Sequence, residues 1–158
     1  MTMQARFVHT NLVAGDWRRL ARFYQEVFGC EPLPPERDLS GPWLEAGTGL
    51  PDAHIRGIHL RLPGCGDGGP TLEIFEYNHL EQHPETAVNR PGFGHIAFAV
   101  DDVAAAVEAV RAAGGGAVGQ VVSLDVPDAG TVTFAYLTDP EGNVVEVQCW
   151  SAAAEEER

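Results

Sequence analysis

No stretch of this 158-residue chain is apolar for long enough to cross a bilayer as a helix, and no apolar run follows a basic start. A soluble, cytoplasmic protein is therefore expected. Cysteine is scarce. Cys30, Cys65 and Cys149 are odd in number, widely spaced and without a C-x-x-C pair, so neither a zinc finger nor a redox couple is indicated, and reduced thiols are expected. Positive charge is also scarce, with 10 Lys and Arg against 23 Asp and Glu and a formal net charge of −13. No basic stripe offsets this locally, so nucleic acid and anionic membranes are poor partners and a small molecule is the expected one. Part of the negative charge lies in the tail Glu155-Glu-Glu-Arg158, which reads as a solvated end.

What the chain does contain is a repeat of itself. Phe7, His9, Asp16 and Gly29 recur as Phe93, His95, Asp102 and Gly115, each 86 residues on (95 − 9). The halves also end alike: Thr71–Tyr77 (TLEIFEY) corresponds to Val144–Trp150 (VVEVQCW), which aligns Glu73 with Glu146 at a spacing of 73 (146 − 73). The difference between the two spacings places 13 extra residues in the first half, between its helix and its last strand.

Each half reads β-α-β-β-β. Residues 6–13 alternate as a half-buried strand, with His9, Asn11 and Val13 on one face. Asp16 is placed to cap a helix whose stripe includes Trp17, Leu20, Tyr24 and Phe28, with Gly29 as its stop. The Pro- and Gly-rich segment 31–50 supports at most a short strand at Trp43–Ala46; strands follow at Ile55–Leu62 and Thr71–Tyr77. In the second half a strand at Gly94–Val100 precedes a helix from Asp101. Strands near Val118–Leu124, Thr131–Leu137 and Asn143–Trp150 complete it, with a turn at Asp139–Gly142. The expectation is one α+β domain, 1–158, made of module 6–78 and module 92–150 joined by connector 79–91.

His9, Glu73, His95 and Glu146 stand at corresponding places, each on the strand face opposite the apolar residues that should meet a helix. Two imidazoles and two carboxylates converging on one side suit a divalent first-row metal such as Ni, Zn, Co, Mn or Fe. Asn11, Phe75, Gln148 and Trp150 share faces with these residues and are candidates to line a substrate pocket, with Arg61 and His59 placed to meet a substrate carboxylate. His79 and His83 have helical ligand spacing, but they lie in the polar connector with Pro84 and read as solvated. Glu76 reads as facing outward, Arg37 and Asp38 as loop charges, and His54 as background.

The motifs HTNLVAGDWRRLARFYQEVFG, LEIFEY, NRPGFGHIAFAVDD and DPEGNVVEV together resemble the vicinal oxygen chelate superfamily, which includes glyoxalase I, methylmalonyl-CoA epimerase, extradiol dioxygenases and bleomycin-resistance proteins. The resemblance implies paired βαβββ modules forming a cupped mixed sheet around one divalent metal, helices outside, and a homodimer. It carries the ligand roles onto His9, Glu73, His95 and Glu146, with Glu73 or Glu146 as the catalytic base. The His-Glu-His-Glu order resembles glyoxalase I, whereas three-ligand members resemble His-His-Glu. The implied function is a glyoxalase-like lyase, isomerase or epimerase working through a metal-stabilised enediolate on a substrate with vicinal oxygens. The alternatives are an Fe(II) dioxygenase and a non-catalytic drug-binding protein.

Overall fold

The computed structural model describes residues 3–152, so the acidic tail 155–158 lies outside the described residues. The chain divides into two compact units between His83 and Pro84, inside the expected connector. Residues 78–95 form neither helix nor strand, so His79 and His83 do not share a helix face. Among the described residues no helix is long and apolar enough to cross a membrane, and Cys30, Cys65 and Cys149 are free thiols. Burial pushes the Cys30 thiol up to about 12.

The first unit comprises β1 (His9–Val13), α1 (Trp17–Phe28), β2 (Glu31–Ser40), α2 (Pro42–Thr48), β3 (His54–Arg61) and β4 (Thr71–Tyr77). Its sheet has the order β1-β4-β3-β2, with β1 parallel to β4 and the other pairs antiparallel. The Asp16 carboxylate accepts from the Arg19 N–H at 3.0 Å to start α1, and Gly29, at φ 68°, ends it in the left-handed conformation that glycine adopts without penalty. One face of α1 buries Trp17, Leu20, Phe23 and Tyr24. The helix rests on β3 and β4, whose Leu60, Leu72 and Ile74 are fully buried. Each such side chain contributes about 1.5–3 kcal/mol.

Two expectations for segment 31–50 are corrected. Residues 31–40 form a strand despite three prolines, because β2 is the sheet edge and Pro34 and Pro35 fall where its register slips between Leu33 and Arg37. There the missing N–H groups cost no ladder bond. The expected strand at Trp43–Ala46 is instead α2, which Pro42 opens at the first turn and Gly49, at φ 72°, closes. Arg37 and Asp38 are therefore strand residues, not loop charges, and Asp38 pairs with His54 at 2.6 Å.

The second unit comprises β5 (Ile96–Ala99), α3 (Val103–Ala112), β6 (Gly116–Ala117), β7 (Val122–Val126), β8 (Gly130–Thr138) and β9 (Val144–Ser151). Asp102, the counterpart of Asp16, caps α3, which begins at Val103 and not at the expected Asp101. The sheet runs β5-β9-β8-β6, with β5 parallel to β9 and β7 also on β8. Of the strand expected at 118–124 only 122–124 is strand: 118–121 is a break between β6 and β7, and its residues 119–121 fall 85 residues (119 − 34) after the slip at 34–36 in β2.

Strand register locates the 13 extra residues. His59 lies opposite Glu73, and Tyr136 opposite Glu146, a spacing of 77 (136 − 59) for the third strand of each unit. The second strands correspond at a spacing of 85 (Arg37 opposite Gly57, Val122 opposite Phe134; 122 − 37), so one of the 13 (86 − 85) lies between α1 and β2, eight (85 − 77) lie in the β2–β3 connection that carries α2, and four (77 − 73) in the glycine-rich β3–β4 turn.

The β8–β9 turn is held by one buried carboxylate. Asp139, 2% exposed, accepts the backbone N–H groups of Glu141 and Asn143 at 2.9 and 3.0 Å and the Asn143 amide at 2.8 Å. Asp139→Ala leaves those donors without their acceptor and should lower the unfolding free energy by about 3 kcal/mol in urea denaturation, whereas a loss under about 1 kcal/mol would contradict this role.

Candidate metal centre

In the first unit the parallel pairing of β1 with β4 sets Asn11 directly beside Glu73 and His9 one step along the same face. The His9 Nε2 lies 3.4 Å from Glu73 Oε2, and the Asn11 amide donates to the same oxygen at 3.3 Å. Across β3, the His59 Nε2 stands 3.1 Å from the other oxygen, Oε1. Glu73 is 8% exposed. A carboxylate so buried requires polar partners: the Asn11 amide supplies a hydrogen bond, and His9 and His59 stand at ion-pair distance. At 3.1 Å the His59 Nε2 is placed to donate to Oε1 when it carries the ring proton, since a carboxylate only accepts. Burial pushes the His59 imidazole below its ordinary range; Glu73 opposes this, and Arg37 and His9 reinforce it.

The second unit repeats the geometry with different neighbours. Ala97 occupies the register position of Asn11, beside Glu146, and Tyr136 that of His59. The His95 Nε2 is 2.9 Å from Glu146 Oε2, and the Tyr136 ring lies 5.1 Å from the His95 ring. Among the described residues His95 is the one polar side-chain partner of Glu146.

Imidazole nitrogen and carboxylate oxygen are donor types that divalent metals take. Two donor atoms bound at about 2.1 Å to one ion stand about 3.0 Å apart at a right angle and about 3.4 Å apart at a tetrahedral angle. The His–Glu separations of 3.4 and 2.9 Å lie close to these two values. The donors occur as two such pairs; among the described residues no group of three or more His, Cys, Asp and Glu side chains is arranged to hold an ion.

The expected pocket residues have separate settings. The Phe75 ring packs edge-on to His59 at 5.8 Å and joins Leu39 and Tyr77 against a small core of Leu44, Ala53 and Ile55. It also lies over Gly57, where an added Cβ would meet the ring at 2.6 Å and the Ile74 carbonyl at 2.1 Å. Trp150 is half exposed and donates from its indole to the Gln148 side chain at 2.8 Å. Arg61 is engaged by Glu31 at 2.8 Å and Asp67 at 3.0 Å, at the end of β3. Glu76, expected to face outward, is half buried: it pairs with Arg56 at 2.6 Å and accepts the Trp17 N–H at the start of α1. A carboxylate there complements the positive end of the helix. His59 was legible as a face-mate of Arg61, but its role beside Glu73 depends on the β3–β4 register, which alternation alone does not give.

The pattern of the Glyoxalase/Bleomycin resistance protein/Dioxygenase superfamily matches residues 6–147. The chain belongs to that superfamily. It is 29% identical over 143 residues to a probable lactoylglutathione lyase of Vibrio parahaemolyticus, covering 90% of this chain and 88% of that protein. It is likewise 29% identical to the lactoylglutathione lyase of Haemophilus influenzae, with 89% and 90% covered. Among solved structures, a glyoxalase family protein from Bacillus cereus superposes with a TM-score of 0.79 at 19% identity, covering 94% of this chain and 96% of that one. This last likeness is one of fold, and the α+β architecture of βαβββ units is that of the superfamily.

The setting of His59 predicts a pH dependence. Its imidazole stays uncharged in the folded chain at pH values where the unfolded chain, near 6.5, takes up a proton. The resulting stability is present above that value and is lost as pH falls through the lower folded value. For metal-free protein, the urea midpoint should fall between pH 7.5 and 5, and His59→Gln should flatten the fall; identical slopes would contradict the assignment.

Proposed function

We propose that this superfamily member is a metal-dependent lyase/isomerase of the glyoxalase type, with His9, Glu73, His95 and Glu146 as ligands of one divalent ion. The observation that carries the reading is the recurrence of a histidine two residues before the position paired with the glutamate, as His9 before Asn11 and as His95, just ahead of β5, before Ala97, with donor atoms at the separation of neighbouring ligands on one ion. The lactoylglutathione lyases among its relatives support the reaction class. Bound there, the ion supplies Lewis-acid stabilisation of the negative charge that develops on adjacent substrate oxygens as an enediolate forms.

The protein's own part is a proton transfer. The substrate class is a small molecule with vicinal oxygens, of which the thiol adduct of a 2-oxoaldehyde is the first choice. A carboxylate takes the proton from the carbon that bears sulfur and oxygen and returns it to the neighbouring carbon, turning a hemithioacetal into a 2-hydroxy thioester with no external oxidant or reductant. Glu146, with one polar side-chain partner among the described residues, is freer to move and accept that proton than Glu73, which has three there. A three-ligand dioxygenase would leave Glu73 a bystander, which is at odds with its burial among those partners. The ligand set is completed within one chain or by two copies exchanging units in a homodimer.

The test is formation of thioester from the hemithioacetal of methylglyoxal and glutathione. Activity should vanish on chelation, return with a divalent metal, and fall at least about 100-fold in His95→Ala. Protein that takes up no divalent metal, with His95→Ala as active as the parent, would refute the proposal.

A further inference from the structure

We infer that His59 is a positioning residue for Glu73: it holds Oε1 of the carboxylate and so leaves Oε2 as the single oxygen directed to the ion. This rests on the metal-site reading above and deepens it. The duplication supplies an internal comparison. At corresponding register positions the first unit places Asn11 and His59 about its glutamate, and the second places Ala97 and Tyr136. The two carboxylates therefore differ in their surroundings, although the His–Glu pairs themselves match.

The division of the Glu73 oxygens is explicit. His59 Nε2 faces Oε1 at 3.1 Å, while His9 Nε2 and the Asn11 amide face Oε2 at 3.4 and 3.3 Å. A carboxylate with both oxygens unengaged can rotate or chelate through both. One whose far oxygen accepts an N–H is held to one-oxygen ligation and to one rotamer.

His59 is itself held. It lies directly opposite Glu73 on β3, and its ring meets the Phe75 ring edge-on at 5.8 Å. Phe75 in turn packs on the small core of Leu44, Ala53 and Ile55, to which α2 contributes Leu44. Two residues of the connection that distinguishes the first unit from the second, Leu44 and Ala53, thus stand behind the side chain that orients Glu73. The insertion braces the site.

The experiment titrates Co(II) into the full-length parent, His59→Leu and His59→Gln, reading affinity by competition with a chelator and ligation by the visible absorption bands. Loss of the N–H in His59→Leu should weaken Co(II) about 10- to 100-fold and alter the bands as Glu73 changes its mode of ligation. His59→Gln, which keeps an N–H donor, should recover most of the affinity and the parent spectrum. Thermal unfolding of the metal-free proteins checks that each variant is folded; if His59→Leu is not, the comparison of His59→Gln with His59→Asn, whose shorter arm falls away from Oε1, decides in the same way. A donor-lacking or short-armed variant that binds Co(II) as tightly as the parent with an unchanged spectrum overturns the inference and leaves the proposed function standing. A parent that binds no Co(II) overturns the proposed function, and the inference with it.

Discussion

The parallel pairing of the first strand of each unit with its last is the constraint on which everything else depends. It sets β1 against β4 so that Asn11 meets Glu73, and β5 against β9 so that Ala97 meets Glu146. A one-residue slip in either pair would turn a glutamate towards the helix and bring an aliphatic side chain to the site. The register is held by burial on the opposite face: Leu72 and Ile74 in β4 and Val145 and Val147 in β9 are fully buried, and a one-residue slip would turn them to the other face. The stability of each unit and the geometry of each His–Glu pair therefore have one cause.

Parallel neighbours require a long crossover, which each unit provides with a capped helix. Asp16 and Asp102 occupy equivalent N-caps, each accepting the N–H three residues on at 3.0 Å. From this common frame the units diverge where the pairing does not constrain them. The β2–β3 connection gains α2 in the first unit, while the second closes the same connection with a three-residue turn between β7 and β8. The residues facing the glutamate change from Asn11 and His59 to Ala97 and Tyr136 without disturbing the strands that carry them.

Much of this was legible in the sequence because duplication turns weak signals into paired ones. A lone histidine on a strand says little, but His9 and His95 at a constant spacing, followed by Glu73 and Glu146, define two copies of one design. Helix α1 was legible to the residue from Asp16 and Gly29, since a cap and a left-handed glycine are local chemistry. Segment 31–50 was not. Prolines that break a central strand are harmless at a register slip on an edge, and edge position is a tertiary fact. The same applies to Glu76, whose inward setting depends on where α1 begins, and to His59, whose partner lies on another strand. Alternation assigned their faces; only the pairing of strands assigned their neighbours.

Metal stoichiometry, measured by native mass spectrometry on protein loaded with one divalent metal and freed of excess, tests most directly whether the two His–Glu pairs serve a single ion. The account predicts one ion per chain, with Glu73→Gln and Glu146→Gln each weakening the same ion. Two ions per chain, each lost with its own glutamate, would mean that the pairs are separate sites and would contradict it.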